Sequence, residues 1–166
     1  VELNDYPDTV NLQRKYPNLI TTRSFSKIYG LAGLRVGYGV SHPDIAEILN
    51  RARLPFNLSS PALAGAIAAL QDQDHVQRTL EMTHQGMAQL RDGLDKLELA
   101  YLPSVANFLT IDFKRPALPI YEALLQYGII VRPLVNYAMP NCLRVTVGLF
   151  GENERFLVAL EKVLED

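Results

Sequence analysis

The alternation of short strand-like segments with longer helical segments constrains the fold of this chain most. Residues 18–24 and 34–40 are rich in apolar and β-branched side chains and predict two short strands. A glycine-containing loop, residues 24–33, separates them, and Pro43 predicts the start of a short helix that ends near Asn50. The first part of the chain therefore combines strands with a helix.

The middle of the chain is helical. Ser59, Ser60 and Pro61 are typical of a helix start, because serine caps free amides and proline suits the first turn. Residues 62–70 are alanine-rich, and we expect them to be core rather than interface. Residues 74–99 predict a second helix. Its apolar residues recur at the spacing of one helical face, and we expect this face to be part of the hydrophobic core. These residues are Leu80, Met87, Leu90, Leu94 and Leu97.

The last part alternates strand and helix again. Residues 107–113 alternate with period two, and a helix from Pro119 to Tyr127 should end at Gly128 in a left-handed cap. Residues 128–132 and 142–148 predict two further strands, and apolar residues between 156 and 164 predict a terminal amphipathic helix. The sequence thus predicts a chain of the α/β class that ends in a small βαββα unit with helices on one face of its sheet.

Composition excludes several classes of function. The chain has sixteen Lys and Arg residues and eighteen Asp and Glu residues, which gives a net charge of -2. Such a charge does not predict the basic surface that binding to nucleic acid or to an anionic membrane would require. No apolar run reaches the roughly 18 residues of a membrane span. With 48% hydrophobic residues the chain is typical of a globular protein.

Cysteine, histidine and the first residues add further expectations. Cys142 is the single cysteine, expected as a small buried strand residue, so no internal disulfide forms. His42, His75 and His84 lack metal-ligand spacing; we predict no metal site and expect them to be solvated or capping. The chain starts at Val1 without Met and without signal-peptide features, which predicts a processed or partial chain.

One segment carries the chemistry. Ser24, Ser26 and Lys27 lie at the end of a predicted strand, and Arg35 follows after Gly30 and Gly33. Hydroxyl groups and a guanidinium fork suit a phosphate dianion, and glycines let the backbone approach a ligand closely. A lysine can form an imine with a carbonyl compound. A phosphate cup beside such a lysine is what pyridoxal 5'-phosphate requires.

The segment SFSKIYGLAGLRVGY, residues 24–38, resembles the cofactor-lysine signature of the class I/II aminotransferases, which are fold-type I enzymes that depend on pyridoxal 5'-phosphate. Within that family, PFN at 55–57, GIIVR at 128–132 and CLRVTVG at 142–148 resemble the histidinol-phosphate aminotransferases. The resemblance covers nearly all of the chain.

The resemblance implies a role for each candidate residue. Lys27 would form the imine with the cofactor and transfer the proton at the substrate α-carbon. Ser24, Ser26 and Arg35 would hold the cofactor phosphate. Arg144, with help from Arg132, would bind the anionic group of the substrate, which a guanidinium fork suits whether it is a phosphate or a carboxylate.

The resemblance also implies that this is the C-terminal half of an enzyme. Residues 1–56 would end the cofactor-binding large domain, 57–97 would form a helical linker, and 98–166 the small domain. The family's other half supplies an aromatic ring, an asparagine and an aspartate to the cofactor, so the segment alone should be inactive. The implied protein is a cytoplasmic homodimer of histidine biosynthesis with no nucleic-acid or membrane partner.

Other functions stay open at this point. The same fold could act on aromatic or other amino acids, or decarboxylate a phosphorylated amino acid. A non-catalytic domain that serves as an interaction module is a further alternative, although it gives no reason for Lys27, Arg35, Arg132 and Arg144 to occur together.

Overall fold

The computed structural model describes residues 7–165 and divides into two compact units. Residues 7–79 form the first unit and residues 80–165 form the second. The boundary lies inside one long helix. None of the helices within residues 7–165 has the length and apolar character needed to cross a membrane. The division of this chain into the segments 1–56, 57–97 and 98–166 stays a prediction.

The first unit joins a two-stranded antiparallel sheet to three helices. Its elements are α1 (Thr9–Leu12), β1 (Thr21–Ser24), a 3-10 turn (Ala32–Leu34), β2 (Gly37–Val40), α2 (Pro43–Ala52) and α3 (Ser60–Gln71). Ser24 pairs with Gly37. A Cβ atom on Gly37 would lie 2.8 Å from the carbonyl oxygen of Arg23, so a glycine is required for this close approach. Both strands are confirmed, but β2 starts later than predicted because Leu34 belongs to the 3-10 turn.

Local capping signals set the helix starts of this unit. Ser59 caps α3 by accepting a hydrogen bond from the Ala62 amide at 3.3 Å, and Pro61 lies in the first turn. His42 caps α2 in the same way through its Nδ1 atom and the Asp44 amide. The predicted starts of α2 and α3 are therefore confirmed.

Helix α3 uses its smallest residues to build the core of the first unit. Ala62 and Ala66 are buried together with Phe25 and Val36. A Cβ atom on Gly65 would lie 2.9 Å from a methyl carbon of Leu34, so the helix needs a small residue there. The larger residues Leu63, Ile67 and Leu70 are about half exposed. The alanine run is thus core only along its small-residue face.

The second unit contains a four-stranded antiparallel sheet and three helices. Its elements are the main part of α4 (Gln73–Lys96), β3 (Ala100–Tyr101), β4 (Phe108–Asp112), α5 (Leu118–Gln126), β5 (Arg132–Pro133), a 3-10 turn (Val135–Tyr137), β6 (Cys142–Thr146) and α6 (Phe150–Glu165). The strand order is β3-β4-β6-β5. The predicted βαββα order from β4 to α6 is confirmed, with β3 as an additional edge strand.

The core of this unit lies on one face of the sheet. Leu109 pairs with Val145, and Ile111 pairs with Leu143, across β4 and β6. All four are buried in one cluster with residues of the three helices, among them Leu90, Leu94, Leu124 and Leu160. Because side chains alternate along a strand, Thr110 and Arg144, which also pair, lie on the opposite face.

The prediction of a strand over residues 128–132 is wrong for most of that range, because β5 covers only Arg132–Pro133. Gly128, with φ of +70°, donates to the Leu125 carbonyl at 2.9 Å, and Ile129 donates to the Leu124 carbonyl at 3.0 Å. These bonds complete the end of α5, as the sequence predicted for Gly128. The amides of the first two residues are therefore used by the helix, and strand pairing begins only at Arg132.

Candidate active site

Lys27 lies in the loop that joins β1 to β2, here called the lysine loop (residues 25–36). A tight turn holds it, because the Gly30 amide donates to the Lys27 carbonyl at 2.8 Å and Gly30 takes a φ of +68°. The Lys27 side chain is exposed, and no carboxylate within residues 7–165 forms an ion pair with it. Its amino group is therefore free to meet a ligand.

Phe25 anchors the lysine loop. It is 3% exposed, its amide donates to the Val36 carbonyl at 3.2 Å, and its carbonyl accepts from the Leu31 amide at 3.0 Å. The ring of Tyr29 packs on the ring of Phe25 with centroids 4.8 Å apart. The sequence left open whether Tyr29 lines the site or packs, and this contact identifies a packing role.

Ser24 and Ser26 form a small turn just before Lys27. The Ser24 hydroxyl oxygen accepts a hydrogen bond from the Ser26 amide at 3.0 Å. A hydroxyl that accepts one bond can still donate its own hydrogen to a further acceptor. Ser24 is exposed and Ser26 is half-buried. Turn chemistry therefore accounts for one contact of Ser24 and leaves both hydroxyl groups able to donate.

Arg35 has a left-handed backbone with φ of +53° and ψ of +46°, which is uncommon for a residue that is not glycine. One guanidinium nitrogen donates to the Ala32 carbonyl at 2.9 Å, and the side chain is exposed. Since a guanidinium has five N–H donors, most of them stay available. Strain of this kind is frequent where a side chain is held in place for a ligand.

Strand pairing brings these residues to one end of the β1–β2 sheet. Ser24 is opposite Gly37, and the bond between the Phe25 amide and the Val36 carbonyl extends the pairing by one step. Ser26 and Lys27 come directly after β1, and Arg35 comes directly before Val36 and β2, so both ends of the lysine loop start from this paired end of the sheet. Two hydroxyl groups, an amine and a guanidinium therefore belong to residues at the same end of the sheet.

The second unit pairs Arg132 of β5 directly with Arg144 of β6. Arg144 is in turn opposite Thr110 of β4. These residues share the sheet face that points away from the hydrophobic core. Like charges directly opposite each other on antiparallel strands repel, so this arrangement favours an anion that both guanidinium groups can bind.

Arg144 has an aromatic partner and an unfulfilled donor. Its guanidinium carbon lies 4.8 Å from the centroid of the Phe108 ring. Among the described residues, Arg144 Nε is a buried nitrogen without a hydrogen-bond partner. Leaving such a donor unsatisfied costs about 1–3 kcal/mol, a cost that a bound acceptor would remove. The aromatic contact explains part of why an arginine is tolerated on this apolar strand.

Arg132 is exposed and held by Tyr137. One guanidinium nitrogen donates to the Tyr137 hydroxyl at 3.1 Å, and the guanidinium carbon lies 5.5 Å from the ring centroid. The side chain is therefore preorganised without being neutralised. An open cavity of about 610 Å³ is lined by Arg132 and Arg144 together with Thr146, Asn153 and Arg155, among others. The arginine pair thus lies at a space that could admit a small ligand.

Three residues that contact the candidate site were not recognised from the sequence. Phe108 and Tyr137, which hold the two arginines, are recognised only from the strand register and the 3-10 turn. His75 is the third: it was expected to be solvated or capping, but it is half-buried and its Nε2 atom lies 3.0 Å from the Ile28 carbonyl oxygen. No local pattern links residues that are 47 positions apart.

The chain matches the model of the family described as aminotransferase class I and II over residues 2–160, and it belongs to that family. It is 56% identical over 161 residues to histidinol-phosphate aminotransferase 1 of Nitrosococcus oceani, which covers 97% of this chain and 44% of that protein. The chain thus spans less than half the length of the curated relatives it matches.

Solved structures agree with this membership. The histidinol-phosphate aminotransferase of Sinorhizobium meliloti in complex with pyridoxal-5'-phosphate is 32% identical, with a TM-score of 0.81, over 90% of this chain and 42% of that one. The L-threonine-O-3-phosphate decarboxylase of Porphyromonas gingivalis is 25% identical, with a TM-score of 0.78, over 90% and 48%. The fold is that of part of a fold-type I transferase, which confirms the fold that the resemblance implied.

Proposed function

We propose that this chain is part of a longer aminotransferase that uses pyridoxal 5'-phosphate to transfer the amino group of histidinol phosphate to 2-oxoglutarate. The products are imidazole-acetol phosphate and glutamate. The observation that carries the proposal is the collection of Ser24, Ser26, Lys27 and Arg35 at one end of the β1–β2 sheet. The identity of 56% to a histidinol-phosphate aminotransferase supports the substrate.

The residues of the lysine loop fit this cofactor. Lys27 is exposed and free of a carboxylate partner within the described chain, so its amine is available to the cofactor aldehyde. The hydroxyls of Ser24 and Ser26 and the remaining N–H groups of Arg35 are donors suited to a phosphate dianion. When bound, the cofactor supplies an aldehyde that combines with amines and a ring that withdraws electrons from the reacting carbon.

Lys27 then has two tasks. Its amine would hold the cofactor between turnovers, and during the reaction Lys27 Nζ would accept the proton from the substrate carbon that bears the amino group. The same nitrogen returns that proton later. Anchoring of the loop through Phe25 limits the positions that the amine can take, which favours proton transfer at one atom.

The arginine pair binds the anionic end of each substrate. Histidinol phosphate has no carboxylate, so Arg132 and Arg144 bind its phosphate. Glutamate and 2-oxoglutarate present a carboxylate to the same two residues. Both groups accept two parallel bonds from a guanidinium fork. The unsatisfied Nε of Arg144 and the repulsion across β5 and β6 supply the physical reason for binding an anion there.

The full-length protein acts in the cytoplasm as a homodimer that binds small molecules and neither nucleic acid nor membrane. The exposed apolar residues Leu63, Ile67 and Leu70 on α3 support a further protein surface that covers this helix. Sedimentation equilibrium of the full-length protein should give twice the mass of one chain. A monomer at micromolar concentration would contradict the dimer.

The 166 residues alone should not catalyse transamination, because they span 44% of the relative from Nitrosococcus oceani and lack the cofactor contacts that the resemblance assigns to the other half. An assay of the purified segment with histidinol phosphate and 2-oxoglutarate tests this. Turnover near that of the full-length protein would contradict it.

A second candidate is a decarboxylase that acts on a phosphorylated amino acid. The similarity to the L-threonine-O-3-phosphate decarboxylase favours it, since that substrate also carries a phosphate. Histidinol phosphate, phenylalanine and L-threonine O-3-phosphate can be compared as substrates of the full-length protein. We expect kcat/KM to be highest for histidinol phosphate, without release of carbon dioxide. Carbon dioxide release from the phosphorylated amino acid would favour the decarboxylase, and a preference for phenylalanine an aromatic aminotransferase.

Cofactor attachment is tested by borohydride reduction followed by peptide mapping. The full-length protein, loaded with pyridoxal 5'-phosphate, should retain the label on the peptide that contains Lys27. Lys27→Ala should lose it, whereas Lys15→Ala, which changes an exposed lysine of the same unit, should keep it. A label on a different lysine, or one that survives Lys27→Ala, would overturn the assignment.

A further inference from the structure

His75 connects the first turn of α4 to the lysine loop. Its Nε2 atom lies 3.0 Å from the carbonyl oxygen of Ile28, the residue that directly follows Lys27. The ring is half-buried. Its backbone position is set independently, because the His75 amide donates to the Asp72 carboxylate at 2.9 Å at the start of the helix. The backbone that carries the His75 ring is therefore held in place by the helix start.

The chemistry of the contact assigns the hydrogen. A backbone carbonyl only accepts, so Nε2 carries the hydrogen and donates to Ile28. The Thr79 hydroxyl lies 3.5 Å from the same nitrogen, farther than the carbonyl. A ring with its hydrogen on Nε2 donates to Ile28 whether or not Nδ1 is also protonated.

The other hydrogen bonds of this part of the lysine loop are short-range. The Gly30 amide donates to the Lys27 carbonyl, and the Leu31 amide donates to the Phe25 carbonyl. Within residues 7–165, the bonds that the structure gives to residues 25–31 otherwise stay inside 24–36. Phe25, Tyr29 and Leu31 also pack in the apolar cluster that contains Ala62 and Ala66 of α3, so side-chain contacts anchor the loop as well. Within residues 7–165, the hydrogen bond from His75 adds a polar contact from a helix to the backbone next to Lys27, and it opposes movement of that backbone.

We propose that His75 is a positioning residue for Lys27, which fixes the turn that carries the amine by donating a hydrogen bond to the Ile28 carbonyl. The proposal rests on the proposed function for the role of Lys27. His75 acts only through the backbone next to Lys27 and contacts neither substrate nor cofactor. Its removal should therefore change how well Lys27 is placed and leave the arginine pair unaffected.

Three variants of the full-length protein separate the donor from the bulk of the ring. His75→Leu removes the donor, His75→Gln keeps an N–H donor at a similar reach, and His84→Leu changes an exposed histidine of the same helix. The first measurement is hydrogen exchange, followed by mass spectrometry, of the peptide that covers residues 27–31 in protein freed of cofactor. Loss of one neutral hydrogen bond predicts about two- to tenfold faster exchange there in His75→Leu.

Exchange in peptides of α6 should stay unchanged in His75→Leu, and His75→Gln and His84→Leu should resemble the parent protein throughout. Equal exchange of residues 27–31 in His75→Leu and the parent would overturn the proposal. So would a uniform increase that includes α6, or a failure of His75→Gln to restore protection, because each indicates a merely structural role.

Kinetics of the loaded enzyme provide the second measurement. His75→Leu should lower kcat by about two- to tenfold, with the KM for histidinol phosphate unchanged. An increase in KM with unchanged kcat would overturn the positioning role. The exchange measurement needs no cofactor, so its failure concerns His75 alone, whereas a borohydride label away from Lys27 would overturn the proposed function itself.

Discussion

Arg132 and Arg144 are direct cross-strand neighbours on β5 and β6, on the face of the sheet that points away from the core. Twelve positions separate them in sequence, and the antiparallel pairing places the two positive charges opposite each other. Tyr137 holds one guanidinium and Phe108 lies against the other, and neither partner is an anion. The pair is thus ordered without being neutralised, which is a favourable starting state for binding a phosphate or carboxylate.

Replacement of Arg144 should weaken substrate binding. A hydrogen bond to a charged group contributes about 1.5–3 kcal/mol, so Arg144→Gln should lower kcat/KM for histidinol phosphate by about 10- to 100-fold, mainly through KM. Arg115→Gln, which changes an exposed arginine of the same unit, serves as the control. Steady-state kinetics of the full-length protein measure both. An unchanged KM in Arg144→Gln would contradict the role of the pair.

Gly37→Ala should destabilise the first unit. The added methyl group would lie 2.8 Å from the Arg23 carbonyl oxygen, which forces the backbone of β1 and β2 apart and costs about 1–3 kcal/mol. Gly33→Ala is the matched control, since its methyl group meets no atom within 4 Å. Urea unfolding measures the free energies. Equal midpoints for the two variants would show that the close approach is not required.

Two adjacent leucines of α5 should differ sharply in their contribution to stability. Leu124 is fully buried in the core of the second unit, whereas Leu125 is 38% exposed. Leu124→Ala should lower the free energy of unfolding by about 2–5 kcal/mol, because it leaves a cavity. Leu125→Ala should cost less than about 1 kcal/mol. A similar loss in both variants would contradict the observed orientation of the helix.

Cys142 should react slowly with thiol reagents in the folded protein. Burial raises the pKa of its thiol, the nearby Asp112 carboxylate raises that pKa further, and Lys114 lowers it. A raised pKa in the folded state means that the neutral thiol contributes stability below the unfolded pKa, and this contribution is lost as the pH rises through the folded pKa. Iodoacetamide labelling between pH 7 and 10 should therefore be slower in the folded protein than in urea. Equal rates would contradict the burial of the thiol.

Local signals predicted much of the fold. Ser59 and Pro61 mark the start of α3, and Gly128 marks the end of α5, because capping depends on atoms within a few residues. Leu143 and Val145 alternate with Arg144 along β6, so the buried face of that strand also follows from neighbouring residues. The residues of the lysine loop could be recognised together because they occupy one continuous segment.

Features that depend on distant neighbours could not be predicted in this way. Residues 128–131 have a strand-like sequence, yet α5 uses the first two amides, and residues 100–101 form β3 because β4 offers a free edge. The opposition of Arg132 to Arg144 requires the strand register, and the bond from His75 to Ile28 requires the folded first unit. Capping hydrogen bonds and apolar periodicity depend on residues only a few positions apart. The sequence alone therefore determines the helices, the buried faces and the lysine segment. Which distant backbones meet depends on how each unit packs, and this packing places Arg144 opposite Arg132 and the His75 ring against the Ile28 carbonyl.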